Sequence, residues 1–129
     1  MDGIERELFE YNSIIQETNE IYRGAARRLG LSESTFWILY ALRTSAIPMT
    51  QSGLRSALCL PKQTVNSALK SLERGGYIEL AGPGGVRGKA VLLTEAGRRL
   101  TEDTAGRVVR AEVEAFSKLG SEERRAFLG

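Results

Sequence analysis

Residues 61–78, PKQTVNSALKSLERGGYI, constrain this chain more than any other stretch. Pro61 has a fixed φ and no N–H to lose, so it suits the first turn of a helix. Val65, Ala68, Leu69 and Leu72 follow at helical spacing and make one apolar stripe. Gly75 and Gly76 stop the helix, because glycine takes the left-handed conformation of a C-terminal cap cheaply. The remaining surface carries Lys62, Gln63, Asn66, Ser67, Lys70 and Arg74, with Glu73 its one acid. An ordinary solvated helix face alternates Lys with Glu. This one sets cations among short amide and hydroxyl groups, the donors and acceptors that match base edges in a major groove.

What precedes and follows supports that interpretation. Thr50 is placed to cap a short helix with Leu54, Ala57 and Leu58 as its stripe, and Cys59–Leu60 make a tight turn into Pro61. A short helix, a tight turn and a second helix with an exposed polar face form a helix-turn-helix. Tyr77–Ala81 alternates, with Ile78 and Leu80 on one face, and Lys89–Leu93 reads as a second strand. Between them lies GPGGVRG, the tip of a hairpin. GPGGVRGKA fails as a phosphate-binding P-loop. Its glycines are one residue too far apart, Ala90 stands where Ser or Thr is needed, and a strand follows where a helix should. A hairpin directly after a helix-turn-helix is a wing, whose Arg87 and Lys89 can reach phosphates or a minor groove.

Charge points the same way. Residues 43–99 hold nine basic and three acidic groups, a net +6, while residues 1–42 sum to −3 and residues 100–129 to −1. A basic middle between acidic flanks marks the middle as the polyanion site. The chain has no histidine and a single cysteine. Serine–histidine and cysteine–histidine catalysis are therefore excluded, as is a structural zinc site. No catalytic set and no metal site is expected, and no cofactor. Cys59 beside the reading helix is a candidate redox group, with inert packing as the alternative.

The ends are helical. Ile4, Leu8, Tyr11, Ile15, Thr18, Tyr22, Ala25 and Leu29 keep a four-three spacing over residues 4–29, and Ile14, Ile21 and Ala26 widen the stripe. Gly30 ends that helix. Ser32 is placed to cap the next, whose run Phe36–Leu42 has no polar break and predicts a buried central helix. Phe36, Trp37 and Tyr40, with Tyr11, are candidates to line a small-molecule pocket; core packing is the alternative. Residues 46–49 predict an extended connector. Thr94 is placed to cap one long helix to Leu119, and Ser121 a short final one. The expected localisation is cytoplasmic. The longest apolar run is too short to span a bilayer, and the acidic start MDGIERELFE is no signal peptide.

LPKQTVNSALKSLERGGYIEL, a glycine-rich tip, VRGKAVLLTEAGRRL and a long helix together resemble the multiple antibiotic resistance regulator (MarR) family of winged-helix transcription factors. The resemblance covers nearly the whole chain. It implies a mostly α (α+β) fold: a single domain, 1–129, with a winged helix-turn-helix at 31–93 flanked by dimerisation helices at 1–30 and 94–129. It implies a homodimeric, sequence-specific regulator of double-stranded DNA, acting as a repressor, and released by small aromatic ligands. Gln63, Thr64, Asn66 and Ser67 are then the base-reading candidates. Lys62, Lys70, Arg55 and Gln51 are phosphate candidates, with Arg87 and Lys89 on the wing. The chain departs from the family pattern in having Gly85 where an Asp braces the wing arginine, Ser67 where Arg is common, and a shorter C-terminal helix. The competing expectation is a winged helix that meets an acidic protein partner.

Overall fold

The computed structural model describes residues 2–82 and 88–129. It divides into two compact units, residues 1–33 and 34–129. The first is built on helix α1, Gly3–Arg28. The Asp2 carboxylate accepts the Glu5 N–H at 2.8 Å and caps its start. At its end the Leu31 N–H bonds Ala26 O and the Gly30 N–H bonds Arg27 O, with Gly30 at φ +75°. That pair of bonds is a Schellman terminator, and it needs the left-handed residue that Gly30 supplies. Ile4, Leu8, Tyr11, Ile14 and Ile21 of the apolar stripe are all exposed in a single copy of the chain.

The second unit packs around α2, Glu33–Thr44. Phe36, Ile38 and Leu39 are fully buried, while Trp37, Tyr40, Ala41 and Leu42 are half-buried, so the helix is central with one partly open side. Next come β1 (Met49–Thr50), α3 (Gln51–Leu58) and α4 (Lys62–Arg74). Then follow β2 (Ile78–Ala81), β3 (Ala90–Leu93), α5 (Glu95–Asp103), α6 (Ala105–Ser117) and α7 (Ser121–Leu128). The strands form one antiparallel sheet in the order β1-β3-β2, with Ile78 opposite Leu93, Leu80 opposite Val91 and Met49 opposite Val91. Among the described residues no helix is long and apolar enough to cross a membrane.

Four local expectations are corrected. The extended connector at 46–49 ends in a strand: Met49 and Thr50 pair with Val91 and Ala90, and tertiary pairing makes β1 where two residues carry no period of their own. The single helix from Thr94 to Leu119 is two helices, broken at Thr104 with φ −121° and ψ −93°. At the break the Glu102 carbonyl accepts from Arg110 Nη2 at 3.0 Å, so a side chain takes over from a helical N–H. Ser121 is the first residue of α7 rather than its cap; Gly120 holds that place, and its N–H donates to Glu123 Oε1 at 3.1 Å. Pro61 likewise stands just before α4, in extended geometry at ψ 149°.

Candidate nucleic-acid interface

The helix-turn-helix is held by its turn. Thr50 Oγ1 accepts the Gly53 N–H at 3.0 Å and caps α3. At the other end of α3 the Leu60 N–H reaches back to Arg55 O at 3.3 Å, and Cys59 adopts φ 53°, ψ 39°. This is again a left-handed helix terminator, but here a cysteine fills the place glycine takes elsewhere in the chain. Cys59 is exposed, and its thiol lies 3.9 Å from Ser56 O.

α4 then presents one face inward and one outward. Val65, Ala68, Leu69 and Leu72 are buried. On the opposite side Gln63, Ser67, Lys70 and Arg74 are exposed, and Lys62 is exposed in the first turn. Thr64 and Asn66 sit on the shoulders of this face and are half-buried. Gln51 and Arg55 of α3 are also half-buried; Arg55 Nε is covered and has no hydrogen-bond partner. Lys89 is exposed at the foot of β3. Arg87 and the rest of the wing tip, residues 83–87, lie outside the described residues.

The far end of α4 is tied to α5 through backbone. The Tyr77 N–H bonds Leu72 O at 2.9 Å and the Gly76 N–H bonds Glu73 O at 3.0 Å, with Gly76 at φ +78°. Thr94 closes the junction from the other side. Its N–H donates to Tyr77 O at 3.0 Å, its hydroxyl donates to Gly76 O at 2.6 Å, and the same oxygen accepts the Gly97 N–H at 3.0 Å. A Cβ on Gly97 would stand 1.8 Å from Tyr77 O. The small residue in LTEAG is thus required by close approach of backbone to helix.

The aromatic candidates separate. Phe36 is fully buried and packs edge-on against Trp37 at 5.2 Å. Tyr40 lines a groove of about 620 Å³ with Val109, Val113, Phe116 and Arg124, and its hydroxyl donates to Glu112 Oε1 at 2.6 Å. Tyr11 is exposed on α1, in the other unit. Sequence inspection missed an ionic clasp on the C-terminal side. Glu102 receives Arg43 Nε at 2.5 Å and Arg110 Nη1 at 2.6 Å. The Arg43 hydrogen bond, with the charges of Arg43 and Arg110, holds the Glu102 carboxyl below its ordinary value. Its partners are 59 and 8 residues away, a spacing no local pattern reveals.

The sequence profile of the MarR family matches residues 29–87, which take in α2 through β2. Beyond that segment, the uncharacterized HTH-type transcriptional regulator YwoH of Bacillus subtilis strain 168 is 29% identical over 121 residues, covering 88% of each chain. Over residues 29–87 this chain is similar to the MarR family. MarR-family structures share its fold. NMB1585 of Neisseria meningitidis superposes with a TM-score of 0.78 at 24% identity, over 95% of this chain and 86% of that one. Staphylococcus aureus MarR, solved in complex with salicylate and kanamycin, superposes at 0.68 with 16% identity, over 97% and 85%. The segment that matches the family profile includes α4, whose outward face is described above.

Proposed function

We propose that this protein is a homodimeric, cytoplasmic repressor that reads a near-palindromic operator in double-stranded DNA. The outward face of α4 carries the proposal: Gln63, Ser67 and Lys70 stand exposed on a helix whose other face is sealed in the core. Gln63 and Ser67, with Thr64 and Asn66 at the shoulders, read base edges. Lys62, Lys70, Arg55 and Gln51 hold phosphates, and Arg87 and Lys89 extend the contact along the wing. The exposed α1 stripe, with Val113, Phe127 and Leu128 exposed on the C-terminal helices, supports pairing of two copies. Two copies related by a twofold axis read half-sites about 10 base pairs apart. The groove beside Tyr40, and the salicylate bound in the Staphylococcus aureus relative, support release by a small aromatic effector.

The test is selection of duplexes from a random pool, with solution mass measured alongside. A dimeric mass and a symmetric consensus are expected. Gln63→Ala then costs about 1–3 kcal/mol on the consensus and little on random DNA. Lys70→Ala weakens both alike and lowers the salt slope by about one unit. Selection of no consensus, with tight binding to an acidic protein instead, would overturn the DNA assignment.

A further inference from the structure

A second concave surface lies away from both the α4 face and the Tyr40 groove. It is a depression of about 440 Å³ between the α2–β1 connection, β3 and the first turn of α5. Leu42, Ile47, Pro48 and Leu93 give it apolar walls, and Arg98 lines one side. A smaller depression of about 220 Å³ adjoins it and shares Leu42, Leu93 and Arg98, so the two form one trough. Its size is that of a small-molecule site rather than of a surface crease.

The trough is shaped before anything enters it. The Ser45 hydroxyl donates to Ile47 O at 2.7 Å and accepts the Ile47 N–H at 3.3 Å, which fixes the loop that forms one wall. Ile47 is nevertheless 71% exposed, an apolar side chain held at the rim of a cavity. Its charge is one-sided. Glu102 at the far end is taken up by Arg43 and Arg110. Arg98 donates Nη1 to Leu93 O at 3.1 Å and makes no ion pair among the described residues. One carbonyl uses one of its five donors, so the planar fork keeps capacity for a carboxylate.

We propose that this trough binds a small amphipathic monocarboxylate, with the acid group on Arg98 and the apolar body against Leu42, Ile47, Pro48 and Leu93. A neutral apolar ligand leaves the cation unused. A polyanion cannot use the apolar wall. The ligand seats on β1 and β3, and β3 is the strand that runs back to Lys89 at the foot of the wing.

The experiment is a titration of the ¹⁵N-labelled full chain, without DNA, with octanoate and with 1-naphthoate. Octanamide and 1-naphthamide serve as uncharged counterparts. Saturable amide shifts at residues 45–47, 49, 91–93 and 98 are expected, with an acid binding about tenfold or more tighter than its amide. Response to octanoate alone assigns an acyl chain, and response to 1-naphthoate alone assigns a ring; either supports the site. Arg98→Gln removes the preference of acid over amide. Ile47→Ser, at an exposed position that leaves the core intact, weakens the acid and provides the test if the arginine variant fails to fold. Absence of saturable shifts up to about 5 mM, shifts gathered instead at Tyr40 and Phe116, or undiminished acid binding by folded Arg98→Gln each overturn the proposal. No DNA enters the titration, so its failure leaves the DNA assignment standing, and loss of that assignment leaves this result intact.

Discussion

Replacing Gly97 by alanine isolates the contact that joins the end of α4 to α5. A Cβ there would lie 1.8 Å from Tyr77 O and 2.8 Å from Tyr77 C, with Leu93 Cδ2 at 3.3 Å. The first two neighbours are backbone, and Tyr77 O already accepts the Thr94 N–H at 3.0 Å. Moving that carbonyl aside breaks the Thr94 bond; keeping it requires α5 to shift. Overpacking of this kind costs about 1–3 kcal/mol. An amide left without its acceptor adds about 1–3 kcal/mol. Alanine returns about 1 kcal/mol in helix propensity. A net loss of about 1–5 kcal/mol follows, a large share of the ~5–15 kcal/mol that holds a domain folded.

In thermal melting at fixed protomer concentration, that loss lowers Tm by roughly 3–20 °C for a chain of this size. Gly24→Ala is the matched control. Gly24 is also helical, but its added Cβ meets only the ends of Arg28 and Arg27 at 3.6 and 3.9 Å. The same substitution there stabilises by up to about 1 kcal/mol. A Gly97→Ala chain that melts at or above its parent, while Gly24→Ala behaves as stated, would refute the claim that backbone approach fixes residue 97.

Cys59→Gly relieves a left-handed residue with a Cβ and is expected to stabilise the chain by about 0.5–1 kcal/mol in urea unfolding, net of the entropy glycine adds to the unfolded state; a loss of stability would mean the thiol packs more tightly than its exposure shows. The Glu102 clasp gives a pH signature. Its carboxyl is depressed when folded, chiefly by the Arg43 hydrogen bond, so the clasp contributes fully above the unfolded value of 4.5 and fades as pH falls through the lower folded value. The stability difference between the parent and Glu102→Gln should therefore shrink on acidification below 4.5 and also in high salt. A difference that is flat with pH would remove the ionic clasp from the account of the α5–α6 break.

Elements with their own punctuation were legible in the sequence. α4 carries a stripe, a leading proline and a Gly-Gly stop, and the structure places its boundaries within a residue of that pattern. Thr50 and Thr94 cap the helices they were placed before, each accepting the N–H of a glycine three residues on. The features that escaped depend on partners distant in sequence. β1 is two residues long and exists because β3 lies beside it. The break at Thr104 falls within the stretch expected as one helix to Leu119. What makes it viable is Arg110 serving the Glu102 carbonyl, together with the Thr101 and Thr104 hydroxyls donating to Gly97 O and Leu100 O at 2.7 Å. No periodicity test registers such side-chain replacements of helical bonds.

The exposed face of α4 was legible for a different reason: Gln63, Ser67, Lys70 and Arg74 are residues the core does not use. α4 is aimed by three constraints, the Cys59 turn, the Gly76 terminator and the Thr94–Gly97 junction, and none of them lies on its exposed face. Orientation and recognition are thus carried by separate atoms. Substitutions at Gln63 and Lys70 should then change DNA affinity while moving stability by no more than about 0.5 kcal/mol, as surface changes do. Gly97→Ala should lower stability and weaken consensus and random DNA together, since it displaces the helix without altering its chemistry. Equal loss of stability from Gln63→Ala would show that the exposed face helps to hold α4 in place, and the separation of the two roles would fail.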